Sequence, residues 1–270
     1  MNNKVSIIIA TKNEELNIAR CIKSIQSSII NHQSLIEVIV VDNYSTDQTG
    51  QIAKKMGAKV FEKGPERSSQ RNFGAQKATG QYLVFLDADM SLETELISEC
   101  LNLAQKGFGS IILSEKIIPR GYWEKCRALE KSCYLGDDLI EAARFYERRL
   151  FEEAGGYDEN LIASEDWDLH QRVKKSKSLI GRTKSFVQHN EKETNPLQAA
   201  KKKYYYGLNL ASYLKKHPAL AFAQYQPLRP ALLRHWPKLL LHPILTCGLV
   251  ILKSSEYIGG GSGLIVGRLR

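Results

Sequence analysis

The chain has 270 residues, 43% of them hydrophobic and 25% charged, which excludes a disordered or fibrous chain and allows one large α/β domain with an appendage. The formal charge of +9 is unevenly spread: residues 1–170 hold 20 Lys/Arg against 26 Asp/Glu, a balance of −6, and residues 171–270 hold 18 against 3, a balance of +15. Five cysteines, odd in number and without a Cys-x-x-Cys pair, exclude a disulfide framework and a zinc site and fit a reducing cytosol.

Residues 5–10 form a continuous apolar run, the pattern of a strand buried on both faces. A polar loop follows at 11–15, then an amphipathic helix with Ile18, Cys21, Ile22 and Ile25 on one face. Residues 35–41 read as a second buried strand, ending in Asp42-Asn43. Ser45-Thr46-Asp47 opens a helix, with Ser or Thr as the expected cap, and Gly57 closes it. A short third strand at 58–62, a Gly64-Pro65 turn and a helix at 66–78 come next. Residues 82–86 are a fourth apolar strand that ends abruptly in Asp87-Ala88-Asp89. Strict alternation of strand and helix implies a parallel sheet with helices on both faces.

Two acids one residue apart at the carboxyl end of a buried strand lie where open α/β sheets bind ligands. They can hold a hard divalent cation, with a diphosphate supplying further oxygens, or they can cap the next helix. No Gly-x-Gly-x-x-Gly follows the first strand and no Gly-Lys-Ser/Thr phosphate loop occurs. Polar residues instead follow successive strands: Thr11, Asn13 and Glu14, then Asp42, then Asp87 and Asp89. Acids after the first two strands suit ribose hydroxyls and base edges.

Further along, a helix is expected at 92–103 and strands at 110–118 and 142–149, while 121–138 follows no clear pattern. Ser164-Glu165-Asp166-Trp167-Asp168 opens a helix with three acids, where the helix dipole favours negative charge. Residues 186–190, containing His189, end a last strand. Asn195-Pro196 starts a helix. Beyond Pro218 the prolines at 227, 230, 237 and 243 cut the chain into short apolar pieces flanked by Trp236 and bases. Such pieces suit a membrane interface, a cover over the catalytic domain, or a dimer contact. With no helix-turn-helix or Gly-aromatic RNA motif, the expected anionic partner is a membrane surface and not a nucleic acid. The first apolar run is too short for a signal peptide, and none reaches the roughly 20 apolar residues of a spanning helix. A cytoplasmic protein, peripheral on the inner face of the membrane, is therefore expected.

Ile9-Ala10-Thr11-Lys12-Asn13-Glu14-Glu15, Val40-Val41-Asp42-Asn43-Tyr44-Ser45-Thr46-Asp47, Arg71-Asn72-Phe73-Gly74-Ala75 and Leu86-Asp87-Ala88-Asp89 occur in that order at suitable spacing. Together they resemble the family 2 glycosyltransferases of the GT-A fold, over residues 4 to about 190. The resemblance implies a UDP- or GDP-linked nucleotide-diphospho-sugar donor, a divalent cation (Mn²⁺ or Mg²⁺) and inversion at the anomeric carbon. It implies donor contacts from Thr11, Asn13, Glu14, Asp42, Arg71, Asp87 and Ala88. It places the metal on Asp89, with Asp87 helping through a water and His189 resembling a third ligand. A lone histidine is otherwise an ordinary core or surface residue. Asp166 resembles the catalytic base, with Glu165, Trp167 and Arg67 in acceptor or supporting roles. Lys12 and Asn43 depart from the common pattern, where many members have Tyr and Asp. The Gln-x-x-Arg-Trp of processive synthases is absent, which implies transfer of a single sugar. The expected organisation is a GT-A catalytic domain at 1–195, with a nucleotide-binding half at about 1–90 and an acceptor half at about 91–195. A basic helical extension at 196–270 meets the membrane, and the acceptor is a glycan or polyprenyl-linked molecule presented there. The rival readings are a nucleotidyltransferase and a non-catalytic sugar-nucleotide-binding scaffold.

Overall fold

The structure, a computed structural model, describes residues 4–28, 36–190, 195–227 and 229–269. In chain order its elements are β1 (Val5–Thr11), α1 (Ile18–Ser28), β2 (Ile36–Asp42), α2 (Thr49–Lys55), β3 (Lys59–Glu62), α3 (Arg67–Lys77), β4 (Tyr82–Asp87) and β5 (Met90–Leu92). There follow α4 (Leu96–Gln105), β6 (Phe108–Ile117), α5 (Tyr122–Cys133), β7 (Phe145–Glu147), α6 (Arg148–Glu153), α7 (Glu165–Lys175) and β8 (Leu179–His189). The last helices are α8 (Pro196–Leu208), α9 (Leu210–Lys216), α10 (Pro218–Tyr225), α11 (Pro230–Arg234), α12 (Trp236–Leu241) and α13 (Pro243–Leu269). The chain divides into two compact units. One comprises Met1–Glu115, Ala142–Glu159 and Glu165–His189; the other comprises Lys116–Glu141, Asn160–Ser164 and Asn190–Arg270.

The first unit is built on an eight-stranded sheet of order β3-β2-β1-β4-β7-β6-β8-β5. The pairs β3–β2, β2–β1 and β1–β4 are parallel, while β4–β7, β7–β6 and β8–β5 are antiparallel. Apolar side chains alternate between two cores, as a pleated strand covered on both faces requires. Ile7, Ile9, Val84 and Leu86 pack on Ile18, Ile22 and Ile25 of α1. Ile8, Leu83 and Phe85 pack on Ala75, Phe151, Tyr157 and Leu169 on the other side. Gly74 of α3 lets that helix lie close to the sheet: a Cβ there would stand 2.4 Å from Ile8 Cγ2.

The expected parallel alternation holds through β4, and the sheet then becomes mixed. Some boundaries differ from expectation for local reasons. Leu35, the expected start of the second strand, lies outside the described residues. The helix expected to open at Ser45-Thr46-Asp47 begins at Thr49, its N-cap is Gln48 without a side-chain cap, and Asp47 Oδ1 accepts from the Thr49 N–H at 3.0 Å. The helix expected at 92–103 begins at Leu96, because Met90–Leu92 pairs with Val187–His189 instead. The strand expected at 142–149 is paired only at Phe145–Glu147 before α6 begins. The stretch at 121–138, without legible pattern, contains α5, whose Glu124 carboxylate accepts from the Gly121 N–H at 2.7 Å.

The second unit is helical. The short pieces expected beyond Pro218 are found only as far as Leu241, since Pro243–Leu269 is one helix of 27 residues. Among the described residues no helix is long and apolar enough to cross a membrane. α13 and α8 press together along glycines one helical turn apart. A Cβ at Gly259, Gly263 or Gly267 would lie 2.2, 2.1 or 2.3 Å from the carbonyl oxygen of Ala200, Tyr204 or Leu208. Gly261, on another face of α13, would meet nothing within 4 Å. Gly263→Ala is therefore expected to force the helices apart and cost about 1–3 kcal/mol, as overpacking does. Gly261→Ala should gain up to about 1 kcal/mol from helix propensity. Chemical denaturation of the two variants beside the parent checks the contrast, and equal effects would contradict it.

Candidate active site

The carboxyl edge of the parallel strands collects the polar residues. The strand register places Thr11 beside Asp42, and Ala10 beside Asp87. This edge, where β1 lies between β2 and β4, is the switch point at which open α/β sheets bind ligands. Gln70 of α3 is buried and its amide donates to the Thr11 carbonyl at 3.0 Å and the Val41 carbonyl at 2.6 Å, tying the ends of β1 and β2 together. Thr11 Oγ1 is buried with no hydrogen-bond partner.

The loops after β1 and β2 brace each other. Asn13, in the left-handed region at φ 53°, accepts from the Thr46 N–H at 2.9 Å, and its own N–H donates to Ser45 Oγ at 2.8 Å. The Glu14 N–H donates to Thr49 Oγ1 at 2.8 Å, and Glu14 Oε2 accepts from the Asn17 amide at 2.6 Å. Asp42 is buried and accepts from the Ser45 N–H at 3.3 Å and from its hydroxyl. These three candidates thus shape a loop pair as well as offering oxygens beside it.

Arg71 joins the other candidates. It lies on α3, fully buried, with Nη2 2.8 Å from Asp87 Oδ1 at the end of β4. Its Nη1 lies 2.9 Å from Asp166 Oδ1 and 3.3 Å from Glu165 Oε1 at the start of α7. The Tyr157 ring packs 5.1 Å from the guanidinium carbon. One cation therefore fixes a strand-end acid against two helix-start acids. Arg67, one turn earlier on α3, reaches Glu165 at 3.4 Å. Arg144, just before β7, lies 2.8 Å from Glu115, 3.6 Å from Asp87 Oδ2 and 3.9 Å from Asp166 Oδ2. Trp167 follows on α7, half-buried, and Ala88 is buried between the two acids after β4.

Charge balance sets the protonation of this cluster. Burial by itself would raise the Asp87 carboxyl, but Arg71 first and Arg144 next outweigh it and hold that group well below the usual carboxylate range. Arg71 is held charged by Asp166 and Asp87 against its own burial. Burial pushes the Glu165 carboxyl up, and the neighbouring Asp166 adds to this, despite Arg67 and Arg71.

Asp89 stands apart from the arginines. The register of β5 on β8 sets Met90 opposite His189, which brings His189 Nε2 to 3.2 Å from Asp89 Oδ2. Asp89 Oδ1 is buried with no hydrogen-bond partner. An unsatisfied buried carboxylate oxygen beside an imidazole fits a divalent cation, which takes carboxylate and imidazole ligands. Among the described residues no three His, Cys, Asp or Glu side chains are gathered to hold a metal. Asp87 is engaged by Arg71 at 2.8 Å and lies 3.6 Å from Arg144.

The structure thus brings Arg67, Arg71, Asp87, Glu165 and Asp166 into one network and pairs Asp89 with His189. Thr11, Asn13, Glu14 and Asp42 lie at the strand ends and loops of the same edge. Arg144, Glu115, Tyr157 and Gln70 had escaped sequence reading. Arg144 carried a weak signal, a cation directly before the aromatic pair Phe145-Tyr146, and Gln70 carried none.

Residues 6–154 match the model of the family described as Glycosyl transferase family 2. An uncharacterised glycosyltransferase of Rickettsia typhi is 43% identical over 98 residues, 36% of this chain and 31% of that protein. The GalNAc(5)-diNAcBac-PP-undecaprenol β-1,3-glucosyltransferase of Campylobacter jejuni is 26% identical over 118 residues, 40% of this chain and 37% of that protein. The chain spans about a third of the length of these curated relatives. The mannosyltransferase PcManGT of Pyrobaculum calidifontis, solved with GDP-Man and Mn²⁺, superposes with a TM-score of 0.64 at 17% identity, over 98% of this chain and 86% of that one. The fold is the GT-A architecture expected from the sequence.

Proposed function

The chain belongs to glycosyl transferase family 2, and we propose that it moves one sugar, with inversion, from a UDP- or GDP-linked sugar to a hydroxyl or phosphate of a lipid-linked or membrane-presented acceptor. The observation that carries this reading is the Arg71 bridge, which fixes Asp166 at 2.9 Å on one side and Asp87 at 2.8 Å on the other. A base and a donor-binding acid need such a fixed separation. The nucleotide half is assigned to residues 1 to about 90, with Thr11, Asn13, Glu14 and Asp42 toward the nucleoside and Asp87 and Ala88 toward the ribose and diphosphate.

Asp166 Oδ1 is committed to Arg71, whereas Oδ2 lies 3.9 Å from Arg144, beyond hydrogen-bond reach. Oδ2 is therefore the oxygen assigned to take the acceptor proton. The freed oxygen then attacks the anomeric carbon from the face opposite the nucleotide, and the nucleoside diphosphate leaves. Arg71, fully buried between Asp87 and Asp166, is assigned the role of positioning the two acids in this scheme. Arg67, 41% exposed at its side chain, is the better candidate for contact with substrate. Asp89 and His189 would hold a divalent cation, which when bound supplies positive charge to the leaving diphosphate. Asp89→Asn is expected to lose Mn²⁺ binding while the fold persists, since a strand-end acid contributes little packing. Water-proton relaxation titrated with Mn²⁺ checks this, and unchanged binding would remove Asp89 from the metal site. The relatives support the donor and acceptor classes: one is named for a lipid-diphosphate glycan, and a structural neighbour was solved with GDP-Man and Mn²⁺.

The membrane reading is supported by the helical unit, where Trp236, Leu240, Leu241 and Ile244 are 59%, 66%, 78% and 74% exposed. Apolar side chains exposed this far beside Arg234 and Lys238 suit an anionic interface. Each base near such a surface contributes about 1 kcal/mol, and salt screens it. The protein should co-sediment with phosphatidylglycerol vesicles at low salt, less at high salt, and far less with phosphatidylcholine. Trp236→Ser combined with Leu241→Ser should weaken what salt leaves. Parent protein staying in the supernatant with anionic vesicles at low salt would overturn the reading.

A further inference from the structure

The helical unit contains a buried charge cluster that the proposed reaction does not use. Glu130 of α5 and Glu256 of α13 are 3% and 6% exposed. Arg127 lies 3.2 Å from Glu130 and 2.7 Å from Glu256, and Lys253 lies 2.9 Å from Glu130 and 2.8 Å from Glu256. Tyr134 Oη also donates to Glu130 at 2.8 Å. Two acids and two bases thus close a balanced square.

Two further cations stand beside that square. Lys203 of α8 points over the Tyr206 ring at 5.7 Å, and no carboxylate among the described residues comes within ion-pair distance of it. Burial pushes its ammonium down to about 8, although Glu256 opposes the shift. Arg229, just before α11, lies 5.3 Å over the Tyr134 ring, and its buried Nε has no hydrogen-bond partner. Lys203, Arg229, Lys253 and Glu256 line one cavity of about 210 Å³, with Tyr225 and Leu264 among its other walls. That volume is far larger than the roughly 30 Å³ of one water and admits a group of several heavy atoms.

Lys203 and Arg229, both half-buried, leave the cavity with two positive charges in excess, which an anion would balance at lower cost than water reaching in from one side. A phosphate monoester or diphosphate carries about the matching charge, and guanidinium and ammonium donors suit its oxygens. Aromatic and aliphatic walls suit what such a phosphate would carry. On the outer face of α13, Ile251, Ile258 and Ile265 recur every seventh residue at 50%, 70% and 64% exposure. We infer that the cavity binds the phosphate of an amphiphile, with Lys203, Arg229 and Lys253 around the anion and tyrosine and leucine side chains against the first atoms of its chain. The inference rests on the membrane reading above only for where the amphiphile comes from, either an isoprenoid phosphate or a phospholipid.

The full chain is titrated with citronellyl phosphate, dihexanoyl phosphatidate and inorganic phosphate below micelle-forming concentrations, followed by thermal shift and calorimetry. A saturable rise in Tm with either amphiphile is expected, at least tenfold tighter than with inorganic phosphate. Lys203→Met and Arg229→Gln should each weaken it at least tenfold, and Lys184→Met, an exposed base on β8, should leave it unchanged. Tighter citronellyl phosphate supports an acceptor lipid, and tighter phosphatidate supports an anchoring lipid. Far-UV circular dichroism shows whether the variants fold, and the parent titration decides even where they do not. No saturable shift in the parent, equal affinity for inorganic phosphate, or undiminished binding in both folded variants would overturn the inference. Vesicles play no part in this titration, so its failure beside intact vesicle binding would count against the cavity alone.

Discussion

Asp166→Asn is expected to lower turnover by about 10²–10⁴ while donor affinity changes little, the scale on which a general base contributes. The carboxylate stands at the first turn of α7 with Oδ1 on Arg71, so its orientation is fixed by a buried cation. Asparagine has nearly the same shape, and its Oδ1 can keep the 2.9 Å contact to Arg71. The loss therefore isolates proton transfer from positioning. Single-turnover rates with saturating donor, beside a separate donor titration, make the measurement. A collapse of donor affinity with an unchanged saturated rate would make Asp166 a binding residue.

Arg71→Met is expected to destabilise the sheet unit by about 3–5 kcal/mol, because it leaves buried carboxylates without their partner. Asp87, Glu165 and Asp166 would then face one another with Arg67 and Arg144 as the remaining arginines of the network. The acid side of the stability curve should change as well. The depressed Asp87 carboxyl contributes stability that is full above its unfolded value of about 3.9 and is lost as pH falls toward its folded value. Without Arg71 that contribution shrinks, so the variant should lose less than the parent between pH 5 and the acid limit. Urea denaturation across that range checks both statements. A cost below about 1 kcal/mol at neutral pH would show that the bridge is not structural.

The nucleotide half of the fold was legible because its strands are buried on both faces and read as uninterrupted apolar runs. Val5–Thr11 and Tyr82–Asp87 lie at the centre of the sheet, and their ends were expected within a residue. Legibility fell where the sheet becomes antiparallel. Phe145–Glu147 and Met90–Leu92 are three residues each, too short for periodicity to register, and their places are set by partners distant in sequence. The 27 residues of α13 were hidden by four prolines before it and by glycines within it, whose use is close contact with α8. Acids at the candidate site were visible from their positions at strand and helix ends. Their counter-charges were not: the sequence motif suggests Arg71 as a donor contact, and the fold shows in addition that it is buried among Asp87, Glu165 and Asp166. Arg144 serves the same cluster across more than fifty residues of chain, a separation no local pattern records.

The most direct measurement is incubation of the protein with a panel of UDP- and GDP-sugars, Mn²⁺ and polyprenyl-linked acceptors, with the released nucleotide identified by phosphorus NMR. The account predicts release of nucleoside diphosphate with at least one donor, slow without acceptor and faster with it, and suppressed in Asp166→Asn. Release of pyrophosphate, or donor binding with no turnover for any acceptor, would contradict it.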